Sequence, residues 1–145
     1  MSGSATSTAS TTFNSPTYNH PGNGRGLFRT DAEGRFRFRT VVPSHYPIPT
    51  DGPVGRLLET TGRHPYRPAH IHFIVKAAGH VPLTTHVFVA GTPYLDSDAV
   101  FAVKQSLIVD FAESTDEETA ARYGVRTPFR HAEFDLTLAK EPTHP

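Results

Sequence analysis

The 145-residue sequence contains no cysteine and no tryptophan. The first absence excludes disulfide frameworks, thiolate zinc sites, iron–sulfur clusters and cysteine nucleophiles. Any metal site must be built from His, Asp, Glu and Tyr. There is no charge surplus either, since 14 Lys and Arg stand against 14 Asp and Glu. That balance removes the electrostatic basis for nucleic acid or an anionic membrane as the main partner. No apolar run approaches the ~18 residues of a membrane span. Residues 1–12 are mostly Ser, Thr and Ala, without the basic start and apolar stretch of a secretory signal. These absences lead to the expectation of a soluble, cytoplasmic protein. The length suits one domain with a real core.

Histidine and proline are plentiful, at nine and thirteen residues. Proline at this level favours strands joined by rigid turns over long helices. Residues 1–24 are poor in apolar side chains and end in Asn19-His20-Pro21-Gly22-Asn23-Gly24, which predicts a disordered or irregular arm. Phe36, Phe38, Thr40 and Val42 alternate with Arg35, Arg37, Arg39 and Val41, the pattern of a half-buried strand. Residues 27–30 are its expected hairpin partner. Residues 43–68 show no sustained period and predict a long ordered loop or a string of turns. Strong strands are expected over 69–77 and 83–90. A helix over 99–105, capped by Ser97 or Asp98, should follow, then a buried strand over 107–111. Thr115-Asp116-Glu117-Glu118 opens a short helix, and Ala132, Phe134, Leu136 and Leu138 mark a closing one-sided strand. The expected class is all-β: a β-sandwich with one or two short helices and long loops.

Chemistry concentrates in Arg67-Pro68-Ala69-His70-Ile71-His72-Phe73-Ile74-Val75. Side chains alternate along a strand, so Ile71, Phe73 and Val75 form a core face while His70 and His72 share the opposite one. Their α-carbons lie roughly 7 Å apart, so both imidazoles can converge on one ion. Two partly exposed histidines on a solvated face is the plainer alternative. Arg67 precedes His70 by three residues and can project a fixed positive charge into the same space. Tyr46 sits among rigid turns in Pro43-Ser44-His45-Tyr46-Pro47-Ile48-Pro49. A deprotonated phenol is a hard anionic donor, and mixed imidazole and phenolate ligation suits ferric iron better than zinc, calcium or magnesium.

Four stretches carry a family resemblance. They are Gly34-Arg35-Phe36-Arg37-Phe38-Arg39-Thr40, Tyr46-Pro47-Ile48-Pro49-Thr50-Asp51-Gly52-Pro53-Val54-Gly55, Gly62-Arg63-His64-Pro65-Tyr66-Arg67-Pro68-Ala69-His70-Ile71-His72-Phe73 and Leu83-Thr84-Thr85-His86-Val87-Phe88. Together with Pro93-Tyr94-Leu95-Asp96-Ser97-Asp98-Ala99-Val100-Phe101 they resemble the catalytic part of intradiol ring-cleavage dioxygenases, and within that family the hydroxyquinol 1,2-dioxygenases most of all. The resemblance runs from about Arg25 to Leu138. It implies a catalytic domain over 25–145 and a resident Fe(III) held by two tyrosines and two histidines. Tyr46, His70 and His72 match three of those ligands. It also implies catalytic roles for Arg67, which steadies negative charge developing on the substrate, and for His86, which stands where catechol enzymes often carry Gln. The implied reaction is cleavage of a catechol-type diol by dioxygen to a muconate-type diacid. The family's first tyrosine lies in a Trp-containing segment without counterpart here, and Tyr18 is the one upstream candidate to replace it. The helical segment that pairs subunits in the family likewise has no counterpart. An N-terminally truncated member with little or no activity is therefore the alternative expectation.

Overall fold

The computed structural model describes residues 6–10 and 24–142. Strands dominate, with two short helices. The first strand, β1 (Thr6–Ser10), pairs antiparallel with β2 (Arg25–Arg29) on one side. On its other side it pairs with β5 (His70–Lys76), and β5 continues antiparallel to β6 (Leu83–Val89). Beyond β6 lies β7 (Ile108–Val109), which runs parallel to it. The five-stranded sheet therefore has the order β2-β1-β5-β6-β7. Two further antiparallel pairs stand outside it. One joins β3 (Tyr46–Pro47) to β4 (Tyr66–Arg67), and the other joins β8 (Ala112–Ser114) to β9 (Phe129–His131).

β5 forms because period-two alternation lets it bury one face without stranding polar groups on it. Ile71, Phe73 and Val75 are buried with Val87 of β6, and Phe28, Phe36, Phe38, Phe134, Leu136 and Leu138 pack against them. The Phe73 ring meets Phe134 at 5.0 Å and Phe38 at 6.0 Å between centroids. Tilted and edge-on contacts of this kind suit the ring quadrupole and add to the burial of large apolar area.

Several expectations are corrected. Thr6–Ser10, inside the expected irregular arm, is a strand with a neighbour on each side. Pairing on both edges satisfies the backbone groups of a segment with few apolar side chains, a source of order that composition does not register. The rest of that arm up to Asn23, Tyr18 included, lies outside the described residues. Residues 35–39 and 132–138 alternate in burial as expected, whereas Thr40 and Val42 are exposed, and neither stretch forms a ladder. An extended backbone alone produces that alternation, whereas a ladder also needs a neighbour in register. The expected loop over 43–68 contains a helix, α1 (Pro53–Thr60), with Pro at its first turn. No helix forms over 99–105. Asp98 instead turns its carboxylate onto the amides of Val100 and Ala102, and Phe101 takes a left-handed φ of 56°. A single 3-10 turn, Gln105–Leu107, precedes β7. The second helix, α2 (Glu117–Tyr123), starts near where its sequence signal lies. The Asp116 side chain accepts from the Thr119 amide at 2.7 Å, and Gly124 ends the helix at φ 64°.

Candidate metal centre

Three backbone pairings assemble the site. In β5, His70 and His72 point away from the Ile71–Phe73–Val75 core face. Across the ladder, His72 lies opposite His86 of β6. On the small β3–β4 pair, Tyr46 lies opposite Arg67, and Pro68 and Ala69 lead from Arg67 straight into β5. Pro68 and Ala69 are fully buried, and the Ala69 carbonyl accepts the Val89 amide at 2.9 Å. The junction between the small pair and the large sheet is thus fixed.

The polar atoms converge on Nε2 of His70. His72 Nε2 lies 3.1 Å from it, a guanidinium nitrogen of Arg67 3.2 Å, and the Tyr46 hydroxyl 3.5 Å. The other ring nitrogen of His70, Nδ1, donates to the Pro68 carbonyl at 2.6 Å. That bond assigns the proton to Nδ1 and leaves the Nε2 lone pair facing the cluster, the usual way a ligating imidazole is oriented. Burial lowers the His70 pKa to about 4, and Arg67 and the neighbouring imidazoles add to the effect against the Pro68 bond. His72 is lowered by burial, then by His86 and Arg67. His86 is lowered by burial and Arg67, against the Ala102 carbonyl and Asp98. All three imidazoles are therefore neutral near pH 7.

Neutral imidazoles with aimed lone pairs, beside a phenol, are a donor set that fits a ferric ion. The set is two imidazoles and one phenol: no group of three His, Cys, Asp or Glu able to hold a metal occurs among the described residues. His86 stands beside the set, its ring centroid 5.3 Å from that of His72, with Nε2 buried and lacking a hydrogen-bond partner among the described residues. A cavity of about 220 Å³ lined in part by Gly26, Phe28, Phe38 and Ile71 lies on the opposite face of β5, away from these groups.

Five of the six residues singled out in the sequence thus share one face of the molecule: Tyr46, Arg67, His70, His72 and His86. Asp98 was missed as part of this neighbourhood. Its sequence context suggests a helix cap, yet it is 3% exposed and its carboxylate meets Arg67 Nε at 3.1 Å. An acidic residue in a turn-rich run has no sequence signal that separates a capping role from a long-range ion pair.

A family model described as Dioxygenase (Dioxygenase_C) matches residues 4–139. The chain belongs to the intradiol ring-cleavage dioxygenases. It is 60% identical over 93 residues to a 6-chlorohydroxyquinol 1,2-dioxygenase of Cupriavidus pinatubonensis, covering 64% of this chain and 34% of that protein. It is 50% identical over 119 residues to a hydroxyquinol 1,2-dioxygenase of a Rhizobium species, covering 81% of this chain and 40% of that one. The solved hydroxyquinol 1,2-dioxygenase of Pseudomonas putida DLL-E4 superposes with a TM-score of 0.82 at 40% identity, over 97% of this chain and 51% of that structure. The chain therefore spans about half or less of the length of these relatives.

Proposed function

We propose that residues 25–145 form the catalytic domain of an intradiol dioxygenase on a β-sandwich scaffold, with Fe(III) held by Tyr46, His70 and His72. The observation that carries this reading is the approach of three donors of the right kind to one point, with His70 Nε2 3.1 Å from His72 Nε2 and 3.5 Å from the Tyr46 hydroxyl. A bound ferric ion would supply a Lewis acid and a template for both oxygens of a catechol-type diol. His70 and His72, kept neutral by burial, remain available as ligands well below neutral pH. Arg67 directs fixed positive charge at the same space, where negative charge would develop on the substrate ring before dioxygen attacks it. His86 adds a neutral imidazole beside His72, with a buried nitrogen that has no hydrogen-bond partner among the described residues. Relatives named as hydroxyquinol enzymes make 1,2,4-trihydroxybenzene the first substrate to try, with catechol second.

A second reading has its own support. Tyr46 is the single phenol that the described residues bring to the histidine pair. A site with one tyrosinate would bind iron yet turn over slowly. Loading the 145-residue chain with ferric iron tests both. A visible tyrosinate-to-iron absorption band with dioxygen uptake on hydroxyquinol supports the enzyme. The band without uptake supports the slow site. Absence of any band rejects Tyr46 as a ligand and both readings with it.

A further inference from the structure

We propose that Asp98 is a positioning residue of this centre: it sets the direction in which Arg67 presents its guanidinium to the His70 imidazole. The inference rests on the reading of the cluster as a ring-cleaving centre. A guanidinium is a planar fork, and fixing one edge fixes where the rest points. Asp98 takes one edge, with Nε to Oδ1 at 3.1 Å and a terminal nitrogen to Oδ2 at 3.4 Å. The remaining terminal nitrogen is the one that lies 3.2 Å from His70 Nε2.

The carboxylate is itself held. It accepts the Ala102 amide at 2.9 Å and the Val100 amide at 3.4 Å. The main chain around it is held too. Arg63 donates to the carbonyls of Asp98 and Ala99, both at 3.3 Å, and stacks 3.8 Å over the Phe101 ring. The Ala99 amide donates to the Tyr66 carbonyl at 3.0 Å, which ties this loop to β4, the strand that carries Arg67. Arg67 is 7% exposed and Asp98 3%. A buried ion pair is weak support for stability by itself, because desolvation offsets its attraction. Its use here is directional.

The test is a double-mutant cycle on the iron-loaded 145-residue chain, with Asp98→Asn, Arg67→Ala and the two combined. Asp98→Asn should keep its iron and its KM for hydroxyquinol while kcat falls about 10- to 100-fold, the scale of a small misplacement. The combined variant should turn over no more slowly than Arg67→Ala alone, because Asp98 acts through Arg67. Additive losses overturn the proposal, since a purely structural Asp98 would give them. A second readout needs neither iron nor turnover. The Arg67 Nε–H resonance of the metal-free chain should exchange slowly with solvent, and quickly in Asp98→Asn. Equal protection in both overturns the proposal. If Asp98→Asn does not fold, Arg67→Lys decides: it keeps the buried pair but loses the fork. Turnover as low as in Arg67→Ala supports the directional role, and retained turnover overturns it. A parent chain with no turnover on any diol counts against the function proposed above and leaves the exchange measurement to judge Asp98.

Discussion

Arg67 and the histidines touch one another, yet they should fail differently when removed. His72→Ala deletes a donor, and the metal should be lost. Arg cannot ligate a cation, so Arg67→Ala should keep its iron and lose turnover by about 10²–10³-fold, the usual scale for one group that stabilises developing charge. Metal content and single-turnover rates measured in parallel separate the two. Equal loss of iron from both variants would make Arg67 a structural support of the site. The same residues give the metal-free chain a pH dependence whose sign follows from burial. His70 is lowered from 6.5 to about 4. Between those values the unfolded chain binds a proton that the folded chain refuses, so this contribution is full above 6.5 and is lost as pH falls toward 4. Burial alone would raise Asp98, but the Arg67 hydrogen bond and the Ala102 amide outweigh it and hold the carboxyl below 3.8. Its contribution is present above 3.8 and is lost at still lower pH. Urea midpoints from pH 8 to pH 4 should therefore decline below about 6.5, the free-imidazole value. A His70→Asn chain should show a shallower decline. Identical profiles for the two would mean that His70 is not buried in its neutral form.

The helix α1 shows how an element remote from the chemistry supports it. Gly55 packs so closely on Thr50 that a Cβ there would collide with the Thr50 backbone carbonyl. The collision cannot be relieved by rotating a side chain. Gly55→Ala should push residues 50–55 apart and cost about 1–3 kcal/mol, as overpacking in a tight site does. Because β3 lies just upstream, the iron–tyrosinate band should weaken or shift as well. A chain with unchanged melting temperature and unchanged band would show that the 50–55 turn relaxes freely and does not support Tyr46. This helix was hidden in the sequence: Pro53, Gly55 and a length of eight residues leave too few turns for a period to emerge. β5 was legible because its alternation persists along seven residues, and β6 because it is a seven-residue run rich in β-branched and aromatic side chains. The His70–His72 face followed from that alternation. The approach of Tyr46 did not, since it depends on the two-residue β3–β4 pairing, which leaves no periodic trace. Residues 99–105 misled for the opposite reason. Their Ser97 and Asp98 look like caps, but Asp98 spends its carboxylate on Arg67 and on a non-helical turn. β1 was invisible because its order comes from backbone pairing on both edges.

At the scale of the whole molecule, the proposed ligands belong to two separately paired units. His70 and His72 lie on the five-stranded sheet, whereas Tyr46 lies on the two-stranded pair. An ion gripped by all three would link those units. It would also bind the folded chain far better than the unfolded one, where the three side chains are dispersed. Stabilisation by such a ligand follows mass action and reaches about 2.7 kcal/mol at a hundredfold excess over Kd. For a chain of this size that corresponds to a rise in melting temperature of roughly 5–11 °C. The rise should grow with the logarithm of metal concentration and should vanish in His72→Ala. It should be reduced but not abolished in Tyr46→Phe, which leaves two imidazoles on one strand and frees the small pair from the link. Hydrogen exchange adds spatial resolution to the same comparison. Metal should slow exchange at the amides of β3 and β4 in the parent chain, because the link restrains that pair, and should leave them unchanged in Tyr46→Phe. If metal raised the melting temperature of the parent and of Tyr46→Phe equally, with no added protection in β3, the ion would sit on the histidines alone. The tyrosinate would then have no part in the site, and the ring-cleaving function assigned to it would fail at its first requirement.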